Sequence, residues 1–275
     1  MLELAVSSLT YEGFADTQYG NLFAKAFREG YRNVEFNCWH AASLTPDRMR
    51  YLRKRCADAG LRPVALHVAA FGGNSSEEIA WNAAHKLRAV EAALELGCRR
   101  VVASVSEKAG SLDGVVEELA QIEPLARREQ VLICLENHCS NPLAVSADYQ
   151  VIFDRIDSPQ IGIALDGGHL EAAGEEIASF IRLLGDRINH LHLKENRYFG
   201  RKSFCRFGRG GTDNVGMIRL MLQRGFSGYM SVELSPEIGE SGESIAFGSE
   251  DRSRPVEMFS RYEDRRAPGA EGQAL

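Results

Sequence analysis

Nitrogen-bearing side chains alternate with leucines in one short apolar segment, INHLHLKENR. His190, His192 and Lys194 occupy every second position of this segment. Because successive side chains of a β-strand point to opposite faces, these three side chains share one face of a predicted strand. Imidazoles on that face are suited to bind a metal ion or an acidic group.

Carboxylate side chains lie at the ends of three other apolar segments. Glu136 lies in CLENH, Asp166 begins the motif DGGH that ends in His169, and Glu233 lies in SVEL. A single strand-end carboxylate often caps the next helix, and a single histidine is often a hydrogen-bonded core residue. Three carboxylates that converge in a buried site, however, require a positive partner, because desolvation and mutual repulsion are costly. A divalent metal ion bound by these oxygens and the His192 imidazole would neutralise them.

The elements that must position these residues recur regularly along the chain. Eight apolar segments are each followed by a longer helical pattern: LELAVSS, RNVEFN, RPVALHV, RRVVASVS, VLICLENH, IGIALD, INHLHLKE and GYMSVEL. After the second segment, Thr45 can cap a helix, Pro46 fits its first position and Gly60 its end; Gly97 ends the next helical pattern. The alternation predicts an α/β fold, a (β/α)8 barrel, with a doubly wound open sheet as the alternative.

A barrel of this kind places its functional groups where strands end and loops begin. The four metal-capable side chains, at the ends of the fifth to eighth segments, would then meet at one mouth. His67 on the third segment and Glu35 on the second are expected to line the other half of the pocket. His190 lies one repeat deeper and is predicted to be a packed, hydrogen-bonded residue, and Cys134 is predicted to be core packing.

Composition restricts the class of partner. The chain has 275 residues and a formal net charge of −6, with a pI near 5.7. No long Lys and Arg run appears, which argues against nucleic acid or a membrane surface and favours a small molecule. The six cysteines form no CxxC pair, and the N-terminal sequence lacks a basic start and an apolar signal core, which together predict a reduced, cytoplasmic protein. No apolar run approaches the roughly 20 residues that cross a bilayer.

The character of the chain changes after Pro236, where it becomes rich in Gly, Ser and charged residues. The change predicts a barrel domain over residues 1–236 and a partly disordered C-terminal extension over residues 237–275. The eighth helix is expected to be weak or displaced, and about the last ten residues are expected to form a polar, disordered tail.

Five motifs in this order, LENH, LDGGH, HLHLKE, RFGRGGTD and SVEL, resemble the sugar phosphate isomerase/epimerase superfamily with a xylose isomerase-like TIM barrel. The resemblance spans about residues 1–236 and extends to ketose 3-epimerases and to inosose and dehydroshikimate dehydratases. By analogy with the ketose 3-epimerases, it implies a metal site formed by Glu136, Asp166, His192 and Glu233. Mn²⁺ is the first expectation, with Mg²⁺, Co²⁺ or Zn²⁺ as alternatives. The resemblance also implies that Glu136 and Glu233 are catalytic and exchange protons with a substrate carbon.

The same resemblance implies residues that contact substrate. His169 matches the histidine of the DxxH motif, and Arg197 is the nearest match to an arginine that follows the strand-seven histidine. Lys194 is expected to face the substrate or a carboxylate, and His67 and Glu35 complete the predicted substrate-binding set. Members of the superfamily are often dimers or tetramers, so a homo-oligomer is expected by analogy.

A basic loop departs from the family pattern. The family's glycine-rich loop usually carries an acidic residue, whereas Arg209 stands between Gly208 and Gly210 here. The cations of the basic loop are Arg197, Arg201, Lys202, Arg206 and Arg209. They indicate a substrate with a phosphate or carboxylate group, unless the loop is simply solvated.

The predicted activity is that of a metal-dependent isomerase or epimerase of a sugar or sugar-like ketone, within carbohydrate metabolism, acting through an enediolate. A metal-dependent dehydratase of the dehydroshikimate or inosose type begins with the same proton removal and remains an alternative. An endonuclease IV-like hydrolase fits less well, because ASVSEK lacks a histidine and Asp213 lacks a paired histidine two residues on. A non-enzymatic sugar-binding barrel remains open should no metal bind.

Overall fold

The computed structural model describes residues 1–14, 18–235, 237–238, 243–244 and 247–264 of the chain. The polar tail expected over about the last ten residues lies outside these described residues. Among the residues described, no helix is both long enough and apolar enough to cross a membrane.

Eight parallel strands close into a barrel, so the predicted (β/α)8 fold is confirmed and the open-sheet alternative is wrong. The barrel strands are β1 (Leu2–Ser7), β2 (Asn33–Asn37), β3 (Arg62–His67), β4 (Arg100–Ala103), β5 (Leu132–Glu136), β6 (Ile161–Asp166), β7 (Ile188–Leu193) and β10 (Gly228–Val232). Closure occurs where β10 pairs in parallel with both β1 and β7. Two hairpins lie outside the barrel: β8 (Asn196–Tyr198) with β9 (Arg201–Phe204), and β11 (Glu237–Ile238) with β12 (Glu243–Ser244).

Helices connect the strands. They are α1 (Leu9–Glu12), α2 (Gly20–Lys25), α3 (Pro46–Asp58), α4 (Ser76–Leu96), α5 (Asp113–Glu129), α6 (Ser146–Phe153), α7 (Gly167–Ala172), α8 (Ile177–Leu184), α9 (Asn214–Gln223) and α10 (Ser249–Asp264), with 3-10 turns at Ala41–Ser43 and Gly185–Arg187. The predicted caps of two helices are present. The Thr45 side chain accepts a hydrogen bond from the backbone N–H of Arg48 at the start of α3. Gly97 ends α4 with φ of 95°, a left-handed conformation that favours glycine.

The last helix, α10, is displaced along the chain, since it begins only after the β11–β12 hairpin. It is nonetheless a substantial element of 16 residues. The Tyr31 hydroxyl donates to the carbonyl of Arg252 at 2.6 Å, and the Arg252 guanidinium pairs with Glu29 at 2.8 Å. Helix α10 therefore packs on the barrel. The predicted boundary between a barrel domain and a C-terminal extension at residue 236 stays a prediction.

The barrel interior separates an apolar layer from a polar one. Ala65, Val102, Cys134 and Ala164 form a fully buried apolar cluster contributed by β3 to β6. Burial raises the pKa of the Cys134 thiol to about 12, which agrees with its predicted role in packing. Buried titratable side chains, among them Glu35, His190 and His192, come from β2 and β7 and form the polar layer.

Candidate active site

Four ligand-type side chains converge at successive strand ends. Glu136 ends β5, Asp166 ends β6, His192 lies near the end of β7, and Glu233 directly follows β10. All four are buried, and each offers an atom that lies within 4.8 Å of the others'. The structure therefore brings together the quartet that the sequence predicts.

The donor set and its unpaired oxygens fit a divalent cation. Asp166 Oδ2 and Glu233 Oε2 are both buried and accept no hydrogen bond from any described residue. The nearest cationic groups lie at ion-pair distance only, with Lys194 Nζ 3.4 Å from Asp166 Oδ2 and His192 Nδ1 3.4 Å from Glu233 Oε2. Buried carboxylate oxygens without hydrogen bonds are costly, and a bound metal ion would satisfy them. Three carboxylates with one imidazole suit Mn²⁺, Mg²⁺ or Co²⁺ better than a structural zinc site.

His192 lies between two carboxylates. Its Nδ1 is 2.5 Å from Glu136 Oε1, and its Nε2 is 3.1 and 3.2 Å from the two oxygens of Glu35. Burial disfavours the imidazolium, but the charges of Glu35, Glu136 and Glu233 outweigh this effect and raise the pKa of His192 well above its ordinary value. The site thus has a strongly negative potential that favours any cation.

Glu35 lies beneath the pocket and not on its wall. Its side chain is 0% exposed, and its Oε2 contacts His190 Nε2 at 2.7 Å and accepts a hydrogen bond from the Ser231 hydroxyl at 2.8 Å. Burial disfavours the carboxylate, yet the charge of His192 and hydrogen bonds from His190 and His192 hold the pKa of Glu35 well below its usual range. His190 is packed and hydrogen-bonded, as predicted. Glu35 therefore orients His192 from the barrel interior.

Lys194 links the metal-type cluster to His169. Its ammonium group donates to Glu233 Oε1 at 2.7 Å and lies 3.0 Å from His169 Nε2. Burial opposes the charge, but Glu233, Asp166 and Glu136 raise the pKa of Lys194 above its ordinary value. Burial raises the pKa of Asp166 to about 6, partly offset by Lys194. Asp166 Oδ1 also caps α7 by accepting the N–H of His169 at 2.8 Å.

A cavity of about 240 Å³ opens above this cluster. Of the predicted site residues, it is lined by Glu136, Glu233, Lys194, His67 and His169. It is also lined by Leu9, Phe14, Asn37, Trp39, Ser104, Glu107, His138, Lys202, Phe204 and Ser235. Sequence reasoning assigned no site role to Glu107, although it follows the β4 strand in the segment ASVSEK, where the strand-end rule could have found it.

The basic loop contributes one cation to the cavity wall. Lys202, on β9, is half-buried and lines the cavity. Arg197, the predicted substrate contact, lies on β8 with an exposed side chain and is not among the described residues that line the cavity. Arg206 pairs with Asp251 of α10, and Arg209 is exposed. Within the basic loop, Lys202 therefore lines the cavity, and contact of Arg197 with substrate stays a prediction.

The fold and these strand-end residues define a family, and the chain belongs to it: residues 23–250 match the model of the xylose isomerase-like TIM barrel. Among curated proteins, an inosose dehydratase of Bacillus cereus (strain AH820) is 27% identical over 85 residues, which is 31% of this chain. That match spans 28% of the length of the dehydratase.

Solved structures with a similar fold include those of an epimerase and of a probable dehydratase. The D-allulose 3-epimerase from Methylomonas sp. in complex with D-allulose has a TM-score of 0.76 at 17% identity, and the alignment covers 94% of this chain and 96% of that one. The probable 3-DHS dehydratase AsbF from Bacillus anthracis has a TM-score of 0.69 at 13% identity, with 94% and 98% covered. Likeness at this level of identity establishes the fold, so the reaction must be argued from the site.

Proposed function

We propose that this protein is a metal-dependent isomerase or epimerase of a sugar or sugar-like ketone, which acts by removing a proton next to the carbonyl. One observation carries the proposal: Glu136 and Glu233 belong to the metal-type cluster and also line the cavity. A substrate in that cavity would therefore meet two carboxylates that can remove and return a proton.

The cofactor is a divalent metal ion, with Mn²⁺ first and Mg²⁺, Co²⁺ or Zn²⁺ as alternatives. It would be held by Glu136, Asp166, His192 and Glu233. When bound, such an ion polarises a carbonyl and stabilises negative charge as it develops on the substrate oxygens.

The protein groups would divide the proton transfer between them. Burial disfavours the Glu136 carboxylate, but His192, then His67 and Lys194, outweigh it and lower its pKa to about 2, so this carboxylate is ionised and its oxygens can bind a cation. Glu233 accepts a hydrogen bond from the Lys194 ammonium, which gives this carboxylate a fixed orientation. One glutamate removes the proton on one side of the enediolate, and the other returns it.

The cavity wall indicates the class of substrate. The cavity has a volume of about 240 Å³, below the roughly 300–1,000 Å³ of typical ligand pockets, which favours a small substrate such as a monosaccharide. Lys202 is placed to bind a phosphate or carboxylate group of the substrate. A cytoplasmic homo-oligomer in carbohydrate metabolism is the setting we propose for this activity.

A dehydratase is the second candidate, and the similarity to an inosose dehydratase favours it. Proton removal next to the carbonyl would be the same, but the intermediate would lose a hydroxyl group as water. The Lys194 ammonium, 3.0 Å from His169 Nε2 on the cavity wall, is the group that could donate a hydrogen bond to that hydroxyl as it leaves.

The two candidates are separated by one experiment in D₂O. Metal-loaded protein is incubated with neutral ketoses, their phosphorylated forms and inosose, and products are followed by NMR and ultraviolet absorbance. An epimerase incorporates deuterium at the carbon next to the carbonyl and keeps every hydroxyl, whereas a dehydratase yields a conjugated product. Turnover without exchange at that carbon, together with an active Glu136→Gln variant, would contradict both.

A further inference from the structure

A groove with an exposed tryptophan adjoins the cavity of the candidate active site. It has a volume of about 970 Å³ and lies between the start of α4 and the loops that follow β3 and β4. Trp81, in the second turn of α4, lines this groove and is 74% exposed. The proposed reaction assigns no role to Trp81 or to the groove.

Two segments of the chain line both the cavity and the groove. After β4, Ser104 and Glu107 line the cavity, while Ser106, the residue directly before Glu107, lines the groove. After β3, His67 lines the cavity, and Ala70 lines the groove. Adjacent Cα atoms are about 3.8 Å apart, so the groove begins one residue beyond the cavity wall. A ligand that fills the cavity and extends past Glu107 would therefore enter the groove.

Hydrogen bonds join the two loops that form the groove. The backbone carbonyl of Phe71 accepts the N–H of Ser106 at 2.8 Å. The Asn74 amide donates to the carbonyl of Lys108 at 3.0 Å. These contacts fix the loops relative to each other and to the start of α4, so the groove is formed before any ligand binds. A preformed site avoids the entropic cost of ordering its loops on binding.

The lining of the groove combines an aromatic face with polar groups that solvent reaches. The C–H groups on one face of a sugar ring can pack on the electron-rich face of the Trp81 indole. Glu77 and Lys108 are exposed and Ser106 is half-buried, so their polar groups are available to the hydroxyls at the edge of such a ring. An anionic ligand fits less well, because Glu77 and Glu78 both line the groove. The chemistry of the lining therefore favours a neutral sugar unit.

We propose that this groove binds the distal sugar unit of a glycosylated substrate, stacked on Trp81, while the unit that carries the ketone occupies the cavity. The proposal rests on the proposed function for the reacting unit and extends the substrate class from a free sugar to a glycoside. The cavity of about 240 Å³ suits one sugar unit, so a second unit linked to it lies outside the cavity, in the groove.

Tryptophan fluorescence tests the proposal without an assay of activity. The chain has two tryptophans, Trp39 and Trp81, so the Trp39→Phe variant retains Trp81 as its sole tryptophan. The probes are isomaltulose and lactulose, in which a second sugar is linked to fructose away from its carbonyl, and D-fructose is the control. Either disaccharide should change the emission of Trp81 saturably, and D-fructose should not. Emission that shifts to shorter wavelength as the concentration of free protein rises would show that a second copy covers the groove, and would overturn the proposal.

Variants assign the binding to this groove. Trp81→Ala should lower the affinity for the disaccharide roughly tenfold, measured by isothermal titration calorimetry, and leave the affinity for D-fructose unchanged. Tyr51→Ala removes an aromatic side chain of α3 that is 40% exposed and does not line the groove, so it should change neither affinity.

Two results would overturn the proposal: Trp81 emission that responds to neither disaccharide, or equal disaccharide affinity in wild type and Trp81→Ala. Failure of the proposed function is distinguishable from both. Exchange of deuterium into a ketose without any response of Trp81 would contradict the groove alone. A response of Trp81 in a protein that exchanges no ketose proton would contradict the proposed reaction and leave the binding site standing.

Discussion

Glu35 is a buried, charged side chain that lies beneath the cavity. Its carboxylate is 0% exposed and contacts His192 Nε2, which leaves Nδ1 of that ring facing Glu136. In metal sites, a carboxylate that accepts the second ring N–H of a histidine ligand fixes both its tautomer and its orientation. This arrangement favours a positioning role for Glu35, and the substrate contact that the sequence predicts for Glu35 stays a prediction.

Glu35→Gln is therefore expected to weaken divalent metal binding by roughly 10- to 100-fold while the fold is retained. Competition with a chromogenic chelator measures the affinity, and circular dichroism checks the fold. Ser231→Ala, which removes only one hydrogen bond to Glu35, is the matched control and should have a smaller effect. Unchanged metal affinity with a raised KM would instead support direct contact with substrate.

Lys202 and Arg197 provide a matched pair of cations on one hairpin. Lys202 lines the cavity and Arg197 does not, so Lys202→Ala should lower kcat/KM for an acidic substrate about tenfold or more, as loss of a charged hydrogen bond predicts. Its effect on a neutral analogue should be small, and Arg197→Ala should affect neither substrate. Steady-state kinetics on both substrates checks this, and a larger loss in Arg197→Ala would restore the sequence-based assignment.

At the scale of elements, the β8–β9 hairpin explains why the sequence did not single out Lys202. Because side chains alternate along a strand, Arg201 and Lys202 face opposite sides of β9. The Arg201 side chain is exposed, and the Lys202 side chain is half-buried. Which face turns toward the cavity depends on how the hairpin sits on the barrel. The Asn196 amide, which donates to the carbonyls of Tyr198 and Arg201, helps fix that arrangement. The position of the hairpin depends on residues distant in sequence and leaves no local sequence pattern. The strand-end carboxylates, in contrast, could be predicted because barrels of this kind place functional groups where strands end.

A buried lysine and glutamate anchor the loop between β3 and α4. Lys86 on α4 donates to the carbonyl of Ala70 at 2.6 Å. Glu118 on α5 accepts the N–H groups of Gly72 and Gly73 at 3.0 and 2.7 Å. Burial lowers the pKa of Lys86 to about 8, with Glu118 opposing the shift. The unfolded chain therefore keeps this proton to higher pH than the folded chain does.

Between about pH 8 and pH 10.5, the contribution of Lys86 to stability should rise with pH, because the unfolded state binds more protons there. The full change is about 3 kcal/mol, an order-of-magnitude value from the size of the pKa shift. Denaturant unfolding of wild type and Lys86→Met across this range measures it, and the comparison cancels contributions from the cysteines and tyrosines. Parallel pH curves for the two proteins would contradict it.

At the scale of the whole molecule, α10 is a helix whose stability could not be predicted from its local sequence. Its sequence is rich in charge and contains Pro255, so local propensity predicts a weak helix. The helix is stabilised by distant contacts, including the buried pair of Arg252 with Glu29 and the hydrogen bond from Tyr31. The barrel and the metal-type quartet could be predicted because each repeat carries its own signal. A helix that depends on tertiary contacts carries no such signal.

Metal binding should stabilise the whole barrel, since the quartet joins β5, β6, β7 and the residue after β10. An ion that binds the folded state alone adds about 2.7 kcal/mol at a concentration 100 times its Kd. In a chain of this size that corresponds to a rise in Tm of about 5 °C. Differential scanning calorimetry with Mn²⁺ and with EDTA measures the shift. Asp166→Asn keeps the cap on His169 but removes one charged ligand, so its Tm should respond weakly to Mn²⁺. An equal response in wild type and variant would exclude Asp166 from the metal site.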